Sequence, residues 1–207
     1  MEEYVYTRER LRGIDVHTVL PQQEPFVMIG SLTHFELGTS TTETRIEDNN
    51  IFVEGGFFSA SGMMENIAQT CAARIGFYNK YILHKDVQVG FIGAVRDFKV
   101  YGLAPVGTVI TTRVDVIEEI FGMTLAKATI TASGITTTEP VNLREHNPEF
   151  PAHGNSQAPA SPEAGSRASA LLAEAGNQAS VLLAEAGNRA PALLAEAEIK
   201  LSVRNIE

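Results

Sequence analysis

Apolar and polar residues alternate along several stretches of this chain, and alternation with period two is the mark of a half-buried strand. Residues 108–118 put Ile110, Thr112, Val114 and Val116 on one face and Thr111, Arg113 and Asp115 on the other. Residues 123–132 do the same, with Ala126, Ala128 and Ile130 opposite Lys127, Thr129 and Thr131. Residues 26–35 and 39–47 predict a hairpin turning at Leu37-Gly38, and residues 88–101 predict one long strand in which Gly90 and Gly93 permit curvature. A last alternating stretch lies near the C-terminus, where Ile199, Leu201 and Val203 are interleaved with Lys200, Ser202 and Arg204. One long stretch has helical spacing instead. In SGMMENIAQTCAARIGFYNKY, residues 61–81, the residues Ile67, Ala68, Cys71, Ala72 and Ile75 fall near one face, and Ser61 is the expected N-cap. Small residues on that face let a curved sheet approach closely. Two strands, one long helix and then three or more antiparallel strands predict an α+β fold with a single helix buried by one sheet.

Residues 134–162 break the pattern with Thr136, Thr137, Thr138, Pro140, Pro148, Pro151, Pro159 and Pro162, a loop composition. An 11-residue repeat follows: EAGSRASALLA from Glu163, EAGNQASVLLA from Glu174 and EAGNRAPALLA from Glu185. Eleven residues are about three helical turns, so the paired leucines would share one side of a helical arm. Gly165, Gly176, Gly187 and Pro191 oppose a helix, which leaves the alternative of a duplicated segment tolerated in a loop. A core strand after the repeat makes residues 134–195 an insertion between the last two strands. The expected unit is then one domain of residues 1–133 plus 196–207.

Composition narrows the function. The 207 residues carry a net charge of −9, which disfavours nucleic acid and anionic lipid as partners. Cys71 is the single cysteine, so neither an intrachain disulfide nor a cysteine zinc site is possible. The charged start MEEYVYTRER has no secretory apolar core, and no apolar run reaches the roughly 18 residues of a membrane span. A soluble cytoplasmic protein is expected. The five histidines are scattered, and phosphate-loop, dinucleotide and nucleophile-elbow motifs are absent, so no cofactor and no metal are expected.

Two places hold candidate chemistry. Glu65 and Gln69, four residues apart, share a helix face with Ala68 and Ala72. A carboxylate on a buried face is costly unless used, and desolvation would raise its pKa toward acid–base work. The alternative is that Glu65 simply favours the helix N-terminus. Just upstream, Gly55-Gly56 can present backbone N–H groups to a carbonyl oxygen, and Phe57-Phe58 can line an apolar tunnel. The alternative is a glycine turn with two core phenylalanines. Met63, Met64, Phe91 and Ile92 are the remaining tunnel candidates, or equally plain core.

Four stretches together resemble the hot-dog-fold 3-hydroxyacyl-[acyl-carrier-protein] dehydratases. They are LPQQEPFVMIG (20–30), NNIFVEGGF (49–57), MMENIAQT (63–70) with its Glu-x-x-Ala-Gln core, and GFIGAVRDFKVYGLAPVGTVI (90–110). The resemblance implies an antiparallel sheet wrapped around the central helix and a dimer with the acyl tunnel between subunits. It implies a loop histidine that takes the α proton and a helix acid on the other subunit that assists departure of the 3-hydroxyl. The acid maps to Glu65 and the following glutamine to Gln69. The histidine does not map, because Gly56 stands at its place, and the loop before Glu65 is several residues shorter. His34 on the first strand is the remaining candidate base. Losing a positioned general base costs on the order of 10² to 10⁴ in rate. Three roles are therefore compatible with the resemblance. One is a dehydratase-like lyase, alone or as the histidine-less half of a heterodimer with a histidine-bearing homologue. Another is an acyl thioesterase using Glu65, and the third is a non-catalytic acyl-binding partner. The substrate carrier would be an acyl carrier protein or coenzyme A. An acidic carrier protein would dock on basic residues, with Lys80, Lys85, Arg96, Lys99 and Arg113 as candidates.

Overall fold

A computed structural model describes residues 6–120, 123–135 and 191–203, the side chains of 201–203 excepted. A short helix α1 (Arg8–Arg12) leads to the hairpin β1 (Ser31–Glu36) and β2 (Thr39–Arg45), which turns at residues 37–38 as the sequence predicts. Two short strands, β3 (Val53–Glu54) and β4 (Phe57–Phe58), precede the long helix α2 (Ala60–Phe77), which runs on into a π-helical turn over Tyr78–Ile82. Then come β5 (Gly90–Val100), β6 (Ala104–Pro105), β7 (Val109–Ile120), β8 (Met123–Ala132) and β9 (Ala192–Val203).

Six strands form one antiparallel sheet in the order β1-β2-β7-β8-β9-β5, and β3, β4 and β6 form a small second sheet. The expected faces are the observed ones: Ile110, Thr112 and Val114 of β7 and Ala126, Ala128 and Ile130 of β8 are buried. The apolar ones pack with Ile67, Ala68 and Cys71 of α2 in one core. The outer face is charged. Asp115, Lys127, Glu198 and Arg96 lie in register across β7, β8, β9 and β5, with opposite signs adjacent. A long antiparallel sheet wrapped around one central helix is the hot-dog fold.

Two boundaries differ from the sequence reading. The N-cap is Ser59 and not Ser61: the Ser59 side chain accepts from the Gly62 N–H at 3.2 Å, and the helix starts at Ala60. Both serines are good caps by type, and β4 ends at Phe58, so the chain turns into the helix two residues earlier. The last strand starts at Ala192, inside the third repeat, and not at 196. Leu194 and Ala195 are both fully buried there, at a bulge where Ile130 pairs with Ala195 and Thr131 with Leu193. A bulge puts two consecutive residues on one side, which hides the strand from a period-two reading. The rest of the expected insertion, with the first two repeats, lies outside the described residues.

Candidate functional site

The chain between α1 and β1 is laid along α2 and fastened at both ends. At the far end, Lys80 Nζ donates to the Thr18 carbonyl at 3.1 Å. Gly76 admits the backbone of Val19 so closely that a Cβ would lie 1.9 Å from the Val19 carbonyl oxygen. At the near end, Gln69 is fully buried and clamps the segment with its side-chain amide. Its Oε1 accepts from the Met28 N–H at 2.7 Å, and its Nε2 donates to the Phe26 carbonyl at 2.6 Å. Asn66 adds a bond from Nδ2 to the Met28 carbonyl at 2.7 Å.

These contacts also orient the acid. Because Met28 N–H must meet an acceptor, the Gln69 NH₂ group is the end that faces Glu65, and Nε2 donates to Glu65 Oε1 at 2.7 Å. The bond occupies one of the two carboxylate oxygens. Glu65 itself is half-buried, on the side of α2 that also presents Ala68, Ala72 and Ile75. That side opens on a cleft of about 220 Å³ completed by Gln22, Gln88, Gly90, Phe91 and Ile92. The cleft runs out to β5, an edge strand of the six-stranded sheet, where Phe91 is 52 % and Ile92 43 % exposed.

The candidate residues thus separate into two groups. Glu65, Phe91 and Ile92 meet at the cleft, with Gln69 behind the acid. Gly55, Gly56, Phe57, Phe58, Met63 and Met64 are not among its lining residues. Gly55 and Gly56, with φ of 58° and 84°, form the two-residue turn of the β3–β4 hairpin, a conformation that needs positive φ at both positions. Phe58 and Met63 are fully buried in the core, Phe57 pairs with Pro105 of β6, and Met64 is half-buried on the helix.

Among the described residues no histidine lines the cleft. His17 lies between Asp15 and Glu24, which hold its proton and raise its pKa, Asp15 first. His34 is on β1 beside Glu36 and faces a different, polar hollow with Arg8, Thr41, Glu43 and Thr111. His84 follows the π-helical turn. His146 and His153 lie outside the described residues. Cys71 is no alternative nucleophile, since burial pushes its thiol up to about 12.

Gln22 and Gln88 were missed by sequence reasoning. The one available signal was the position of Gln22 inside LPQQEPF, where two prolines keep the chain out of a helix and leave its polar side chains to be placed by packing. Of the basic residues considered for carrier docking, Lys80 bonds Thr18, Lys99 pairs with Glu196, Arg113 pairs with Asp115 and Arg96 sits opposite Glu198, while Lys85 is exposed.

Solved structures share this architecture, two of them with TM-scores above 0.5 being instructive. The ApeI:P dehydratase heterocomplex from Xenorhabdus doucetiae superposes with a TM-score of 0.62 at 11 % identity, covering 94 % of each chain. Zebra fish thioesterase superfamily member 2 superposes with a TM-score of 0.51 at 10 % identity, covering 96 % of this chain and 99 % of that one. At such identities the likeness shows the hot-dog fold alone. No curated protein matches the chain in sequence. The family model for ApeP dehydratases matches residues 14–141, a span that takes in the fastened segment, the hairpin, α2 with its acid and the strands through β8. More than half of the chain answers to that model, and the chain belongs to the ApeP-like dehydratase family.

Proposed function

We propose that this chain is the acid-bearing, histidine-less half of a dehydratase acting on 3-hydroxyacyl thioesters. The observation that carries the reading is the cleft itself: it holds an oriented carboxylate, Glu65, and among the described residues no imidazole. Dehydration needs both an acid at the leaving hydroxyl and a base at the α carbon. A second chain with an intact loop histidine supplies the base. Among the described residues β5 pairs with a strand on one side, so its other side offers backbone groups for such a chain to join, and the exposed Phe91 and Ile92 beside it offer apolar surface. This chain's own β3–β4 loop does not line its own cleft, which suits a site shared between two subunits. The resemblance read in the sequence and the likeness to the ApeI:P heterocomplex support the same arrangement.

In the proposed reaction the partner's imidazole removes the α proton and the electron pair forms the new carbon–carbon double bond. The bond from the β carbon to the hydroxyl oxygen breaks, and that oxygen takes the proton of the Glu65 carboxyl and leaves as water. Gln69 keeps the carboxyl facing the cleft during the exchange. The apolar lining of Ala68, Ala72, Ile75, Phe91 and Ile92 receives acyl carbon.

The test is a 3-hydroxyacyl carrier-protein thioester given to the purified chain, to a histidine-bearing homologue, and to the two together, with water loss and free thiol followed in parallel. The mixture should lose water fastest, and Glu65→Gln should lower its rate by about 10² to 10⁴. Full activity of either chain alone, or indifference to Glu65→Gln, overturns the composite site. Thiol release in place of water loss makes the protein a thioesterase. Binding without turnover in any combination leaves it an acyl-binding partner.

A further inference from the structure

His17 lies in the short turn Val16–Thr18, which follows α1 and leads into the segment fastened along α2. Its ring bridges two carboxylates. Nδ1 lies 2.7 Å from Asp15 Oδ1, and Nε2 lies 3.2 Å from Glu24 Oε1. An ionised carboxylate only accepts, so each ring nitrogen has to bring a hydrogen. A neutral imidazole has one N–H and turns a lone pair toward its other partner, whereas an imidazolium has two N–H groups. The bridge is therefore the geometry of the protonated ring.

Its two arms are unequal. Asp15 also accepts from the His17 backbone N–H at 3.0 Å and caps the turn, so it stays in place whatever the ring carries. Glu24 is seven residues on, in the stretch Pro21–Pro25 between the fastenings at Val19 and Phe26. Among the described residues, its bond to His17 is the one side-chain hydrogen bond that ties this stretch to the chain outside it. Gln22 of the same stretch lines the cleft. The π-helical turn faces the same place: Lys80 donates to the Thr18 carbonyl and its charge favours ionised Asp15, and the Tyr81 hydroxyl meets Thr18 Oγ1 at 3.3 Å. Histidine is the side chain whose charge changes near neutral pH. We propose that His17 is a pH-operated latch on one wall of the cleft. The imidazolium holds Glu24, and with it the stretch that carries Gln22. On giving one proton to solvent, the ring keeps its remaining N–H on Asp15 and releases Glu24, and the wall loosens. Both carboxylates hold the ring protonated above the ordinary histidine value of 6.5, Asp15 first. The latch is thus closed below 6.5 and is lost as the pH climbs through the raised value. This regulation belongs to the cleft and stands whichever reaction the cleft carries out.

The test is an NMR titration of the purified chain between about pH 5 and 9. It follows the His17 ring, the methyl groups of Ala68 and Ala72 in the cleft, and the exchange protection of the Phe26 N–H, which bonds the Gln23 carbonyl at 2.9 Å. With intrinsic exchange divided out, protection of Phe26 should fall about two- to fivefold, through the same midpoint as the ring and the methyl shifts. Glu24→Gln should keep the bond at every pH, because an amide can donate to a ring lone pair or accept from a ring N–H. Its Phe26 protection should stay high and its methyl shifts should stop titrating. His17→Phe should show the loosened values throughout. Asp15→Asn should move all midpoints down together. A ring that titrates at 6.5 or lower overturns the latch, as does Phe26 protection indifferent to pH or a midpoint that survives in Glu24→Gln. Protection that falls while the alanine methyls stay still also overturns it, since the turn would then titrate without the cleft.

Discussion

One side of α2 packs on β2, β7 and β8, and another borders the cleft that it shares with Gln22 and the start of β5. Both sides carry polar residues, but they are treated differently. On the sheet side, Asn66 donates to the Met28 carbonyl and to Thr44 Oγ1 and accepts from the Thr112 hydroxyl, while Thr70 meets Thr42 at 2.8 Å. Asn66, Thr70, Thr42 and Thr112 are all fully buried. On the cleft side, Glu65 is half-buried and accepts from Gln69, and its carboxylate borders the opening. A buried polar group whose bonding is complete serves the fold. One whose bonding is incomplete, beside an opening, is available to a ligand.

This comparison can be broken by substitution, and the largest effect should come where the two sides are joined. Gly76→Ala sets a Cβ against the Val19 carbonyl and forces the fastened segment off the helix. A loss of about 3–5 kcal/mol in urea unfolding is expected, with the cleft disordered in the folded remainder. A loss under about 1 kcal/mol would mean that the segment is not held there. Asn66→Ala comes next. It strands the Thr112 hydroxyl and takes a donor from the Met28 carbonyl and from Thr44 Oγ1, which keep each other and the Gly30 N–H, and should cost about 2 kcal/mol by the same measurement. A near-neutral outcome would deny that the sheet side is structural.

Ser40 sharpens the comparison, because its buried hydroxyl on β2 has no partner among the described residues and does not line the cleft beside Glu65. Ser40→Ala should raise stability by up to about 1 kcal/mol, seen as a higher Tm, with catalysis untouched. A fall in Tm would show that the hydroxyl is satisfied in solution. The smallest stability effect belongs to Glu65, the residue proposed above to act on the leaving hydroxyl. Glu65→Gln keeps an oxygen for Gln69 Nε2 and should alter unfolding by about 0.5 kcal/mol or less. A large loss would move Glu65 to the structural side of the helix.

The strands were legible because each buries one face, and burial of one face writes a period of two into the residues. β7 and β8 fall where Ile110, Thr112 and Val114, and Ala126, Ala128 and Ile130, alternate with polar neighbours. The start of β9 was not legible, because the bulge at Leu194 interrupts the period and the same letters recur upstream in the repeat. The i, i+4 spacing of Glu65 and Gln69 marked the acid, and their hydrogen bond follows from helix geometry. Phe57 and Phe58 could not be divided between core and cleft from sequence, since apolar lining and apolar core have the same composition.

What the sequence determined by itself was local. It set the two-stranded start, the long helix with its small-residue face and Glu65, and the glycine pair that turns the β3–β4 hairpin. Tertiary structure alone decided which side of the helix becomes a cleft. That depends on three stretches far apart in the chain, around Gln22, Glu65 and Phe91, arriving at one place. Periodicity records how each element divides its own residues between inside and outside. It carries no record of which distant backbone will lie against Gly76, or of which side of the helix will be left facing an opening.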